Sequence, residues 1–335
     1  MSENQDIVVR CEGLTKIYDE ITALEDLDLA IPRGHIFGYI GHNGAGKTTT
    51  IRILAGLLRA TRGRAAVCGV DVATRRDRIK SLVGYMPDSF GVYDQMRVWE
   101  YLDFFGAAFK IPKNKRRGRI DHVLDITEAD YMRDRFVDTL SRGMKQRVGI
   151  ARTLMHDPEV LLLDEPASGL DPRARIHMRQ LLRRLADSGK TLLVSSHILP
   201  ELAAICDSIG IIHRGHLRAA GLMADVLSQL KRTRLMELKA VGGLEQAAGV
   251  MEADDTCSDL DNSDADNGLL RFQFSGDDER LAALVGRLGA ANVKVVTLRE
   301  VPLSLEDAYM ALAGIGTEPD ELDEVAEELQ GAPQS

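Results

Sequence analysis

The chain has 335 residues, enough for about two domains, and 44% of them are hydrophobic, so a real core can form. Its formal net charge of −9 excludes a general nucleic-acid binder, which needs a basic face to meet phosphates. Cys11, Cys68, Cys206 and Cys257 lie far apart with no CxxC pair, which argues against a zinc site or disulfide framework and fits a reducing cytosol.

Residues Met1 to Arg10 hold no apolar signal-peptide segment, and no stretch approaches the ~18 uncharged apolar residues of a membrane span. The first 225 residues or so read as an α/β domain, with apolar Ile, Val and Leu runs alternating with helical patterns. Ile36 to Ile40 reads as a buried strand ending in glycines, and Lys47 to Leu58 as the helix after it. From about Ser89 to Met155 the pattern is mostly helical, with helices expected at Val98 to Phe109 and Arg142 to Met155. Seven of the sixteen aromatic residues fall between Phe90 and Phe109: Phe90, Tyr93, Trp99, Tyr101, Phe104, Phe105 and Phe109. They suit a small helical core, and any rings left outside suit a partner groove. Val160 to Leu163 and Thr191 to Ser195 read as strands, and Pro172 to Ala186 as a helix.

Beyond about Lys231 the character changes. Strands are expected at Leu235 to Val241, Leu269 to Phe274 and Val293 to Leu298, with a weaker one near Ser258. Helices are expected at Leu244 to Met251, Asp277 to Leu288 and Leu305 to Leu312. This is a split βαβ, ferredoxin-like pattern. The tail from Thr317 to Ser335 has seven acidic residues and no basic one, as a solvated end does.

The strongest chemical signal is Gly41-His42-Asn43-Gly44-Ala45-Gly46-Lys47-Thr48, followed by Thr49. It matches the pattern GxxxxGK followed by Ser or Thr, between a strand and a helix. Glycines let the backbone wrap phosphates with its amides turned inward, and the helix N-terminus adds to the field. Lys47 is expected on the β- and γ-phosphates of ATP and Thr48 on Mg²⁺. A second buried strand ends in Asp164-Glu165. Asp164 suits support of the metal through its water shell, and Glu165 suits polarisation of the attacking water. Alone, such an acidic pair could simply cap the next helix.

A phosphate loop alone allows kinases, GTPases, helicases and transporters. The run Leu140-Ser141-Arg142-Gly143-Met144-Lys145-Gln146-Arg147, then Asp164-Glu165-Pro166, Ser168-Gly169-Leu170-Asp171 and Ser195-Ser196-His197, resembles in its order the ATP-binding cassette (ABC) family. The resemblance covers about residues 7 to 225. It implies a P-loop NTPase cassette, a mixed sheet with a RecA-like core, over residues 1–230. Its helical subdomain would span about 89–157. A small α+β ferredoxin-like domain at 231–315 and an acidic tail at 316–335 would follow. It also implies a head-to-tail dimer, read here as one of identical subunits, in which Ser141 and Gly143 of one cassette serve the ATP held by the other. Asp171 would link the two sites, His197 would contact the γ-phosphate, and Tyr18, expected before the first strand pair, would stack on adenine. The ending Leu303 to Tyr309 resembles the C-terminal extension of single-cassette ATPases of ABC-2 type exporters. A separate integral-membrane permease, gripped near Phe90 to Phe105, would then hold the protein at the inner face of the membrane.

Two positions depart from the family pattern. The signature reads Ser141-Arg142-Gly143-Met144-Lys145 rather than Ser-Gly-Gly-Gln. Asp88, in Tyr85-Met86-Pro87-Asp88, stands where glutamine is usual. It can still ligate Mg²⁺ but cannot donate a hydrogen bond while ionised. The six basic residues between Lys110 and Arg119 suit a solvated face better than a membrane contact. The run Asn262 to Gly268 fails as a calcium loop, because Asn267 takes the glycine slot and Gln273 the twelfth position. Two other readings stay open: a soluble ABC ATPase of translation or DNA repair, against which the single phosphate loop argues, and a non-hydrolysing nucleotide-gated module, against which Glu165 argues.

Overall fold

Strands buried on both faces read as continuous apolar runs, because helices cover a parallel sheet on both sides. Five such runs form the parallel part of a six-stranded sheet: β3 (Ile36–Ile40), β6 (Val83–Met86), β7 (Val160–Leu163), β8 (Thr191–Ser196) and β9 (Ser208–His213). The order is β10-β9-β3-β8-β7-β6, with β10 (His216–Leu222) antiparallel on the edge. The structure is a computed structural model that describes residues 6–89, 91, 95–225, 234–261 and 268–301.

A second, antiparallel sheet holds β1 (Ile7–Tyr18), β2 (Ile21–Pro32), β4 (Arg62–Val67) and β5 (Val70–Asp71), in the order β2-β1-β4-β5. Its strands alternate buried and exposed residues, as a sheet with one wet face must. Leu24, Leu27 and Ile31 from this sheet join Tyr39, Leu162 and Leu193 of the first, with Ile51 and Leu54 of α1, in one core. Helix α1 (Lys47–Leu54) is shorter than its apolar pattern suggests. Gly56 takes a left-handed φ of +71°, so the chain leaves the helix before Leu57 and Leu58.

Helices α2 (Arg76–Leu82), α3 (Val98–Ala108), α4 (Lys113–Ile126), α5 (Arg142–Leu154), α6 (Pro172–Asp187) and α7 (Leu199–Ala203) complete this unit. Tyr101 and Leu102 of α3 and Val123 and Leu124 of α4 are buried, so part of the aromatic cluster is core. Trp99, Phe104 and Phe109 remain exposed. Phe90 and Tyr93 lie outside the described residues. Two of the six basic residues near α4 hold the fold. Arg116 pairs with Asp103 at 2.9 Å, and Arg119 donates to the Met155 carbonyl at the end of α5.

The chain divides into two units between Met223 and Ala224. In the second, β11 (Arg234–Ala240), α8 (Leu244–Glu252), β12 (Cys257–Asp261), β13 (Leu269–Phe274), α9 (Asp278–Ala290) and β14 (Val295–Val301) follow in turn. The sheet order is β12-β13-β11-β14, antiparallel throughout, which is the split βαβ connection. Met236, Leu238, Phe272 and Phe274 on one sheet face pack with Leu284 and Leu288 of α9. The helix expected at Leu305 to Leu312, the acidic tail and residues 262–267 of the acidic run lie outside the described residues.

Candidate functional site

The parallel strand β3 ends at Ile40, and the loop from Gly41 to Gly46 carries the chain into α1, whose first residue is Lys47. The loop glycines have different reasons. A Cβ on Gly41 would stand 2.6 Å from the Ile212 carbonyl oxygen of β9, and one on Gly46 2.7 Å from the Ala23 carbonyl oxygen. Both are therefore required by packing. Gly44 has open space around a Cβ, but its φ of +76° is left-handed, so its backbone course requires glycine.

Lys47 is buried, and its ammonium donates to the carbonyls of Gly41 and of His42, the latter at 3.1 Å. Glu165 Oε1 lies 3.5 Å from it. Burial lowers the Lys47 pKa, and the Glu165 charge opposes that shift. His42, Asn43, Gly44, Ala45, Gly46, Lys47, Thr48 and Thr49 wall an open cleft together with Asp88, Asp164 and Glu165. The phosphate loop and the carboxylates after β7, distant in sequence, thus face one space.

Asp164 follows the last residue of β7 and is 2% exposed. Its amide donates to the Met86 carbonyl at 2.9 Å, extending the β6–β7 pairing by one bond. The Ser195 hydroxyl on β8 donates to Asp164 Oδ1 at 2.7 Å and accepts from the Glu165 amide at 3.0 Å. One hydroxyl therefore orients both acidic residues. Ser195 sat inside a quoted motif, but only the strand register, which lays β8 beside β7, reveals this task.

Glu165 has a left-handed φ of +50°, an uncommon conformation for this residue type. Its Oε2 is 3.0 Å from His197 Nδ1. Burial pushes the Glu165 carboxyl up, but the bonds and charges of His197 and Lys47 outweigh it and leave the group below its usual range. His197 is raised in turn, chiefly by its bond to Glu165. Glu165 Oε1 is a buried acceptor that meets the Lys47 ammonium only at 3.5 Å, a long contact that leaves it short of a well-formed hydrogen bond. A buried lone pair of that kind suits a water as donor.

Asp88 is pushed up, first by burial and then by the charges of Glu165 and Asp164, with Arg142 and His197 opposing. A carboxyl raised by the charges of its neighbours on a cleft wall suits a hard divalent cation, which takes oxygen ligands. Thr48, Asp88 and Asp164 could hold Mg²⁺ there. The glycine loop, Lys47 and the N-terminus of α1 could hold the phosphates of ATP.

Ser141, Gly143 and Asp171 are not among the residues that wall this cleft. Ser141 is the N-cap of α5 and accepts from the Met144 amide at 3.4 Å. A Cβ on Gly143 would meet Ala174 of α6 at 3.3 Å. Asp171 caps α6, accepting from the Ala174 amide at 2.9 Å. The N-termini of α5 and α6 are thus neighbours. Arg142 fills the space over Gly169 and meets any side chain placed there. Tyr18 is also not among the cleft walls. It lies not before the first strand pair but at the end of β1, where Tyr18 pairs with Ile21 across the turn to β2. The chain reverses at Asp19, which has a φ of +48°. The Lys16 ammonium sits 4.7 Å above its ring.

Two contacts of the loop had no signal in the sequence. His42 Nε2 lies 3.1 Å from Nδ1 of buried His213 on β9. The Thr50 hydroxyl donates to the Gly46 carbonyl at 3.1 Å and meets the Tyr39 hydroxyl at 3.2 Å. Both tie the loop to the sheet beneath it.

A family model described as "ABC transporter" matches residues 24–168. An ABC transporter ATP-binding protein of Synechocystis sp. is 35% identical over 90% of this chain and 84% of its own length. The bacitracin transport ATP-binding protein BcrA of Bacillus licheniformis is 33% identical, over 92% of this chain and 98% of its own. Among solved structures, cbiO1 of Clostridium perfringens, part of the ABC transporter complex cbiONQ, superposes with a TM-score of 0.62 at 27% identity. That match covers 67% of this chain and 92% of cbiO1. Identities of 33–35% over nine-tenths of this chain show the family: the chain belongs to the ATP-binding proteins of ABC transporters and is an ATP hydrolase.

Proposed function

We propose that this chain is the engine of an ABC-2 type exporter, a homodimer that closes on two ATP molecules, hydrolyses them and opens again to drive a separate membrane permease. The observation that carries the reading is the triangle of Lys47, Glu165 and His197, with Glu165 3.5 Å from the lysine and 3.0 Å from the histidine. Glu165 orients and polarises the attacking water, and His197 holds the carboxylate and meets the γ-phosphate. Lys47 leaves its carbonyl partners for the phosphates. Mg²⁺, when bound by Thr48, Asp88 and Asp164, supplies charge neutralisation on the phosphates. Phosphoryl transfer needs mainly such positioning and charge stabilisation.

Dimerisation is supported by the distribution of site residues. Ser141 and Gly143, at a helix N-terminus suited to an anion, do not wall the cleft of their own chain. In a head-to-tail pair they would meet the partner's ATP, with Asp171 between the two sites and Tyr18 against adenine. Among the described residues no helix is long and apolar enough to cross a membrane, so transport needs a separate permease. Exposed Trp99 and Phe104 of α3 supply its docking face. That face would bring the protein to the inner surface of the cell membrane. The export direction rests on the second unit, a region included when the BcrA match runs over 98% of that protein.

ATP turnover against protein concentration, with light scattering of Glu165→Gln in ATP, tests the reading. Turnover that rises faster than linearly, and a variant held as an ATP-dependent dimer, are expected. A variant that binds ATP and stays monomeric overturns it.

A further inference from the structure

Helix α6 starts at Pro172, and Arg175 lies on its first turn, with its amide bonded to the Asp171 carbonyl at 3.0 Å. The Arg175 guanidinium reaches two other places at once. Its Nε donates to the carbonyl of buried Leu170 at 2.9 Å, and its Nη1 stands 3.2 Å from Glu201 Oε1. Glu201 belongs to the short helix α7, one helical turn beyond His197, and its side chain is only 14% exposed.

These contacts close a ring. From Glu165 the chain runs through the turn to Leu170 and Asp171, tied along the way by the Ser168 amide to the Glu165 carbonyl at 3.1 Å. Arg175 then bridges from Leu170 to Glu201. From Glu201 the chain runs back to His197, and His197 returns to Glu165 at 3.0 Å. Two short segments bonded at both ends have one relative position. Cut at either end, they pivot about the other.

We propose that Arg175 and Glu201 form a strap that fixes the Asp171 loop against the His197 segment, making both of them positioning residues for ATP hydrolysis. The inference rests on the catalytic roles proposed above for Glu165 and His197. Glu201 is an expensive residue to keep for stability alone. Burial and the nearby Glu165 charge both disfavour its ionised form, and only Arg175, His197 and Arg179 offset them. The Arg175 side chain is 36% exposed, and an ion pair with one partner that open to solvent contributes little to stability. What an apolar pair cannot do is grip a loop carbonyl and a helix carboxylate together. A guanidinium can, because its Nε donates to the carbonyl while its charge stands 3.2 Å from the carboxylate, whereas the compact charge of a lysine ammonium lacks that spread of donors.

The strap makes a specific demand on kinetics. Neither residue walls the nucleotide cleft, so ATP should bind normally while the chemical step suffers. The test measures kcat, KM for ATP and melting temperature of the full chain in Glu201→Gln, Arg175→Ala, Arg175→Lys and Glu201→Gln/Arg175→Ala. We expect KM within about twofold of wild type and kcat lower by about ten- to a hundredfold in Glu201→Gln and Arg175→Ala, the scale of a small misplacement of reacting groups. Arg175→Lys should recover only part of kcat, and the double variant should be no worse than the worse single one, because both cut the same ring. Glu201→Gln keeps shape and volume, so the test stands if Arg175→Ala fails to fold. A kcat within twofold of wild type in Glu201→Gln, or losses that multiply in the double variant, overturns the strap. Failure of the parent reading looks different: wild-type turnover would be absent, or Glu165→Gln would stay monomeric in ATP.

Discussion

His197 Nδ1 lies 3.0 Å from Glu165 Oε2, and this bond, together with the His197 and Lys47 charges, outweighs what burial does to the carboxyl. Glu165 is held below its usual range and His197 above its own. The sign follows from the two shifts. The pair contributes fully only above the ordinary carboxylate range and below the ordinary histidine range. It weakens as pH falls through the lowered Glu165 value, and again as pH rises through the raised His197 value. The His197 imidazole, followed by NMR, should titrate above the ordinary histidine range in wild type and return toward it in Glu165→Gln. An unmoved His197 titration would show that the bond is not what raises it.

Lys47 offers a measure of phosphate recognition. Its ammonium already has carbonyl partners, so Lys47→Ala removes a buried cation and leaves the Gly41 and His42 carbonyls short of a donor. Loss of its charged hydrogen bonds should cost about 2–3 kcal/mol of nucleotide affinity, roughly 30- to 150-fold in Kd. Calorimetric titration with ATP in EDTA reads this without interference from the metal.

Asp88 is tested through the metal. With glutamine the cleft loses one charged oxygen ligand, and with asparagine it loses the charge while keeping the length. The Mg²⁺ concentration for half-maximal turnover should rise about tenfold in Asp88→Gln and Asp88→Asn, the lower end of what altered metal surroundings cost. Unchanged dependence in both variants would remove Asp88 from the metal site.

The glycines of the loop should separate stability from binding. Gly46→Ala drives a Cβ to within 2.7 Å of the Ala23 carbonyl oxygen in addition to its strained φ, so it should destabilise by about 3 kcal/mol or more in urea unfolding. Gly44→Ala meets no neighbour and should cost only the left-handed penalty of about 1–2 kcal/mol, while still weakening ATP binding. Equal destabilisation by the two would mean that backbone conformation, not contact, sets the requirement at Gly46.

The sequence by itself determined β3 and β7 to the residue, because a run buried on both faces has no polar positions and its ends are marked by glycine or carboxylate, and β13, because Arg271 and Gln273 alternate with buried Leu270, Phe272 and Phe274. It also determined the loop from Gly41 to Thr48 and the Asp164-Glu165 pair, since phosphate and metal chemistry restricts residue types at short spacing. The extent of α1 was not legible. Leu57 and Leu58 continue an apolar pattern that a left-handed Gly56 interrupts. Tyr18 was likewise assigned to a place ahead of the sheet, because β1 runs on to the turn at Asp19 through irregular pairing that periodicity does not register. Only tertiary structure decided what acts together. Ser195 reaches both acidic residues because β8 lies beside β7, His213 reaches His42 because β9 lies beside β3, and Arg175 meets Glu201 because α6 and α7 share one end of the sheet. Parallel strand order brings together residues tens to more than a hundred positions apart, and no local pattern of residue types encodes that order.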